Sequence, residues 1–465
     1  MAAAAAAAAP DAAVGSTTGV AAAGDADAYQ VIAALLTARP GAVGEVAYLP
    51  PSALPPEAAA SGAAVVADGT ITARAAAAAT RRTDAVTAIC AAAGGLPAPA
   101  HSSASLPPAL PTSIIGIAYT LLAPAFRGAT AAASRCSDDV AAPPSVWACV
   151  LPVLNPFHVT AWNAHRAWVT REVAASATAA HDNVEAAVSG VAAAVAAGRA
   201  WATLVQTRHP KAAEVWEYRR WLLHAESGAL AALLPAGSTQ LAAALLPGAV
   251  GEADAAASAV AAYARNYNAW STRLACLRTV AAAGVPRVTA AYAVWELTRT
   301  LPAVRVTPRD YSAWSFRAAV LGAIVAAGEG IQAIAVRLAA GEALLVATVA
   351  AAHLPADTLQ PTTVALVMAG CADAAHRADA HATHALHAAL TAAMCALRPH
   401  RAAPSAPYRT AAAAAATADV TNLLAAVQAA ATALLASGSS CSDPSLPLSL
   451  AAVVQEYLDA IPAAP

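Results

Sequence analysis

Four tryptophans recur in the same company, and this constrains the fold more than any other feature of the chain. The segments NPFHVTAWNAHRAWV, HPKAAEVWEYRRWLL, YARNYNAWSTRLACL and TPRDYSAWSFRAAVL align on Trp162, Trp216, Trp270 and Trp314. Three residues further on stand His165, Arg219, Arg273 and Arg317, and seven further on Val169, Leu223, Leu277 and Leu321. Steps of three and seven return to one side of an α-helix. Pro156, Pro210 and Pro308 lie six residues before their tryptophans, and the basic residues Lys211, Arg265 and Arg309 lie five before theirs. Asn266 and Asp310 follow at four before, then Tyr267 and Tyr311 at three before. A proline, a capping side chain and an amphipathic run spell a helix start.

The tryptophan origins are 54, 54 and 44 residues apart. Each interval holds two helices and a loop, the antiparallel hairpin from which an α-solenoid is stacked. All nine tryptophans of the protein fall between Trp147 and Trp314. The expectation is therefore an all-α chain whose ordered centre is a row of hairpins. Roughly a third of the 465 residues are alanine, which favours helix yet buries little, so Leu, Val, Ile and Trp must anchor the core.

Composition divides the chain further. Residues 1–27 read as a disordered Ala-rich tail, 28–145 as N-terminal helices with an Ala/Pro-rich insert, and 146–322 as the four repeats. Residues 323–400 read as further helices with a degenerate fifth repeat, in which Ala385 takes the tryptophan position. Residues 401–465 read as a low-complexity linker and C-terminal helices.

With 26 basic and 28 acidic residues, the chain has no charge surplus with which to hold nucleic acid or an anionic membrane. Its seven cysteines are scattered singly, which fits a reducing compartment better than a disulfide framework. No basic leader opens the sequence, and no apolar run reaches the roughly 20 residues of a spanning helix. A cytoplasmic protein without a transmembrane segment is expected.

The pattern Asn-Tyr-x-x-Trp-x-x-Arg-x-x-x-Leu resembles the repeat of protein prenyltransferase α subunits. ARNYNAWSTRLACL meets it at every defined position, DYSAWSFRAAVL substitutes Asp for Asn, and the first two segments keep the tryptophan frame. The similarity is greatest to divergent α-like members of geranylgeranyltransferases. It implies a right-handed superhelix of hairpins wrapped on a β subunit, the Rab-type one for such members. That partner holds zinc and the isoprenoid pocket; no cofactor is expected on this chain. The implied activity is transfer of an isoprenoid, geranylgeranyl for this class, from its diphosphate to a cysteine of a protein substrate. This chain alone would be inactive.

The resemblance also places residues. Lys211, the sole lysine of the chain, falls where the family's diphosphate-contacting lysine stands. An ammonium there would answer the charge that grows on the leaving diphosphate. Asn266 and Tyr267 fall at the β-subunit interface beside the substrate cleft, although Asn266 is equally a helix cap and Tyr267 a packing residue. Ala213 occupies a position where the family often has tyrosine, and His165 stands in an arginine's place.

For the remaining candidates the residues favour structural roles. Trp162, Trp216, Trp270 and Trp314 read as core, while Arg219, Arg273 and Arg317 read as partners of carboxylates or helix carbonyls between hairpins. His381, His384 and His387, with His376 and Asp379, drift around a helix and lack the Cys or Glu that would complete a metal set. No nucleophile elbow or phosphate loop is present. The alternative to a transferase subunit is a non-catalytic helical scaffold that binds a partner protein.

Overall fold

The computed structural model describes residues 43–49, 63–67, 69–96, 113–135, 146–178, 183–308, 310–327, 332–353 and 448–461, with a few positions in 28–34 and 425–435. The proposed fifth repeat and its histidines lie outside the described residues. Helix dominates what is described, as an all-α reading expects.

The departure lies before the repeats, where the sequence pattern suggests helices and an insert. Val43–Leu49 (β1), Ala63–Ala67 (β2) and Ser113–Ala118 (β3) form a three-stranded sheet in the order β1-β3-β2. β3 runs parallel to β1 and antiparallel to β2. Short β-branched runs such as SIIGIA and AVV favour a pleated strand. They are brief enough to be overlooked among alanine and proline.

The helices are Gly69–Ala92 (α1), Tyr119–Arg135 (α2), Val146–Leu154 (α3), Val159–Thr178 (α4), Val184–Arg208 (α5), Ala213–Leu233 (α6), Thr239–Ala262 (α7), Tyr267–Ala282 (α8), Pro286–Val306 (α9), Tyr311–Ala326 (α10), Gln332–His353 (α11) and Leu448–Ala460 (α12). They belong to two compact units, Met1–Thr83 with Ala100–Leu233, and Asp84–Pro99 with Leu234–Pro465. The division falls between the second and third repeats.

In the first unit, α4 packs on α5, α5 on α6, and α4 on α6, while α3 closes on α4 and α5. Its core joins Trp162, Val169, Val195, Val205, Tyr218 and Leu222, all buried. By length and composition α5 could cross a membrane. Within this unit it is a hairpin helix, carrying Arg199 in a two-bond pair with the buried Glu226 of α6 at 3.0 and 2.6 Å.

In the second unit, α7 packs on α8 and α9 on α10; α8 also lies against α10, and α7 against α9. Repeat helices thus sit beside repeat helices. The intervening loops meet at their glycines. Gly237 (φ 71°) donates its N–H to Ala283 O at 3.1 Å, and a β-carbon on Gly284 (φ 73°) would stand 3.5 Å from the Gly237 α-carbon.

Side chains start several of these helices. Asn183 accepts from Ala186 N at the head of α5, and Ser238 from Leu241 N at the head of α7. α9 begins instead on Pro286, whose fixed φ suits the first turn.

Candidate functional site

Each repeat turns a corner into its tryptophan-bearing helix, and the candidate residues cluster at these corners. The corner is built by a bond that the spacing of six already encodes. The Trp162 indole N–H donates to Pro156 O at 2.6 Å, Trp216 to Pro210 O at 2.8 Å, and Trp314 to Pro308 O at 2.9 Å. The ring is buried in each case, so its one polar atom needs a partner. The carbonyl six residues back supplies it and pins the turn.

The third repeat has Ala264 instead of proline, and its corner is made differently. Arg265 adopts φ 60°, a left-handed conformation that a side chain resists. The Trp270 indole donates at 2.9 Å to Oδ2 of Asp310, the cap of the fourth repeat. Asp310 Oδ1 accepts from Ser312 N at 3.1 Å, so both carboxylate oxygens are engaged. This explains Asp where the pattern has Asn. In the Asp310→Asn protein one oxygen would become an NH2 facing the indole N–H, two donors buried together. A loss of about 1–3 kcal/mol is expected in the denaturant unfolding of this unit. Asn266 caps its own helix, its Oδ1 accepting from Ala269 N at 3.3 Å at the head of α8.

Lys211 stands in the second corner, exposed, in the turn before α6. The turn is held on both sides. His209 Nε2 lies 2.8 Å from Val153 O at the end of α3, and Pro210 O receives Trp216. Burial lowers the His209 pKa, the Val153 carbonyl opposes this, and the Arg208 charge lowers it further. A neutral ring donating Nε2–H to the carbonyl satisfies these constraints. Hence the exposed Lys211 is carried on a turn held at both sides.

Beside these corners lie apolar side chains that the fold leaves in solvent. In the first unit they are Phe157 (64% exposed) and Val159 (60%); in the second, Tyr263 (48%), Tyr267 (70%), Val306 (81%) and Tyr311 (52%). Val159, Tyr267 and Tyr311 each lie three residues before a repeat tryptophan, and exposure of an apolar group at a repeated position suggests a contact role more than scattered exposure does. Of the two residues assigned to a partner interface, Tyr267 is exposed, whereas Asn266 is 3% exposed and occupied with its helix.

Three residues beyond the tryptophans, the arginines point inward. The Arg273 guanidinium pairs with Glu296 through Nε and Nη2, and its Nη1 reaches Ala253 O at 3.3 Å. Arg317 pairs with Glu342 at 2.9 and 2.5 Å, and its Nη1 reaches Leu297 O at 2.8 Å and Thr300 Oγ1 at 2.6 Å. Arg219 donates to Thr203 Oγ1 at 3.0 Å. Burial opposes the charge of Arg317, but Glu342 and Tyr457 outweigh it and raise its pKa. No local motif marks the carboxylates, although Glu296 and Glu342 follow their arginines by 23 and 25 residues.

The first repeat has Val188, Ser189 and Gly190 over the corresponding interval, and no carboxylate. The second repeat has Ala242, Ala243 and Ala244 over the same interval and still buries Arg219, which donates to Thr203; in the first repeat a histidine able to be neutral brings no charge into the core. His165 is buried, stacked on Trp201 with centroids 3.5 Å apart, its Nε2 3.8 Å from Cys149 Sγ. Burial drives its pKa down to about 3, with the Ala148 carbonyl partly opposing; burial also pushes the Cys149 thiol up to about 11. Both groups are neutral at physiological pH and structural in character.

Among the described residues no three His, Cys, Asp or Glu side chains are placed to hold a metal. No model of a known protein family matches the chain, and no curated protein matches it.

Proposed function

We propose that this chain is the α-type subunit of a heterodimeric protein prenyltransferase, a superhelix of hairpins that presents its repeat corners to a β subunit. The observation that carries this reading is the second corner, where the chain's only lysine is exposed on a turn locked by Trp216 and His209. The repeat pattern puts that lysine where its resemblance to prenyltransferase α subunits calls for a diphosphate contact.

The reaction would be transfer of an isoprenoid, geranylgeranyl by the closest resemblance, to a cysteine thiolate of a protein substrate. As the C–O bond breaks, charge gathers on the departing diphosphate, and the Lys211 ammonium would lower the barrier by meeting it. A compact ammonium on four methylenes can follow a moving phosphate; the planar guanidinium of the chain's arginines fits one geometry. Zinc, which would activate the thiol, belongs on the β subunit in this scheme. The exposed Tyr263, Tyr267 and Tyr311 would meet that partner, and the assembly would work in the cytoplasm.

The second reading, a scaffold without chemistry, draws support from Ala213 and His165, which depart from the pattern at the corner and in the core. Co-expression with candidate β subunits and a transfer assay with labelled geranylgeranyl diphosphate separate the two. A β subunit should co-purify, and Lys211→Ala should leave that complex intact while slowing transfer about 100-fold. Should no β subunit bind, the transferase reading fails; equal rates for Lys211→Ala and the parent would leave only the scaffold.

A further inference from the structure

The buried Arg–Glu pairs of the third and fourth repeats are each completed by a phenol, but from different places in the chain. In the third, Tyr292 stands one helical turn before Glu296 on α9 and donates to its Oε1 at 3.0 Å. In the fourth, the residue one turn before Glu342 on α11 is Leu338, which has no hydroxyl. The phenol comes from Tyr457 of α12: it donates to Glu342 Oε1 and accepts from Arg317 Nη2, the latter at 2.7 Å. A side chain 140 positions from Arg317 thus fills a role that the preceding repeat meets from within.

Three further contacts are specific to this helix. Gly341, the neighbour of Glu342, leaves a recess: a β-carbon there would overlap Leu458 and lie 2.9 Å from Ile461 Cδ1. Arg305, in the last turn of α9, donates to Ala460 O at 2.7 Å and Ile461 O at 3.1 Å, placing a cation at the negative end of α12. Arg337 donates to Gln455 Oε1. A recess, a buried hydroxyl seat and a cation at the helix terminus together select an amphipathic helix by shape, hydrogen bond and polarity.

We infer that the α9–α11 face is a helix receptor whose ligand is the chain's own Leu448–Ala460, held by its contacts independently of the covalent connection through residues 354–447. The inference stands apart from the prenyltransferase reading and survives its failure.

The test uses the full chain with a specific protease site introduced among residues 402–417 and a fluorophore at the C-terminus. After cleavage the labelled fragment should stay with the body through size-exclusion chromatography. An excess of synthetic peptide 448–465 should displace it, and the same peptide carrying Tyr457→Phe should need about tenfold more. Gly341→Leu, which fills the recess, should release the fragment on cleavage. If the fragment leaves the parent protein at once, or if Gly341→Leu retains it equally well, there is no receptor. If the phenylalanine peptide competes as well as the native one, the phenol seat is not selective. A dimeric elution of the uncut chain that dissociates on adding peptide would assign the ligand to a second copy and overturn the assignment within one chain.

Discussion

Replacing Arg317 with methionine is expected to lower the stability of its unit by about 3–5 kcal/mol, the range for breaking a buried ion pair by removing one partner. Both side chains of the Arg317–Glu342 pair are 0% exposed. Removal of the guanidinium strands a carboxylate with Tyr457 as its remaining hydrogen-bond donor, and takes Leu297 O and Thr300 Oγ1 from a shared donor. The double replacement Arg317→Met with Glu342→Leu should recover most of the loss, because charges exchanged for apolar volume leave no unpaired ion. Guanidinium unfolding followed by tryptophan fluorescence measures both. A single variant as stable as the parent would mean that water reaches the pair. The pair Arg299–Asp254, at 2.5 Å but part exposed, offers the contrast: Asp254→Ala should change stability by less than about 1 kcal/mol.

The second large effect is a loss of stability in acid that traces to His165. Its folded pKa is about 3 against 6.5 in the unfolded chain. Above pH 6.5 the ring is neutral in both states and its contribution is complete. As pH falls from 6.5 toward 3 the unfolded chain takes up a proton that the folded ring refuses, costing about 1.4 kcal/mol per pH unit. At about pH 4.5 the loss approaches about 3 kcal/mol. His209, whose pKa is also lowered by burial, pulls in the same direction. His165→Phe keeps an aromatic ring against Trp201 and should flatten the decline over this range. The check is the denaturation midpoint of parent and variant at several pH values between about 4 and 7. An equally steep decline in both would place the acid sensitivity elsewhere.

The parts of the molecule that could be read from the sequence are those where one side chain answers a local need. Asn266 and Asp310 cap helices because a short oxygen-bearing side chain before an amphipathic run reaches backbone donors two or three residues ahead. The tryptophans are buried because they repeat on one stripe. Other features depend on residues far apart in the chain. Nothing near Asp310 announces that its second oxygen serves Trp270, since that bond exists only once α8 and α10 lie together. The same holds for Tyr457, a residue in an unremarkable C-terminal helix until Glu342 is beside it. The sheet escaped because its strands are short, and β-propensity speaks weakly against a background of alanine. At the candidate site, the register of Lys211 and the spacing of Trp216 from Pro210 were legible, whereas the His209 side of the lock was not. His209 reaches back 56 positions to Val153, a contact that no local spacing records.

The two glycine loops of the second unit bear on how this sequence can change. Alanine makes up roughly a third of the chain, and on helix surfaces replacement by alanine costs little. At Gly237 and Gly284 it does not. Both residues hold left-handed φ, and the neighbouring backbones stand within van der Waals reach of each other. A library of single substitutions should therefore be permissive along the alanine-rich faces and unfavourable at these two sites, where the left-handed backbone is strained for any side chain. Glycine there, like tryptophan at the corners, sets the backbone path and not the exposed surface.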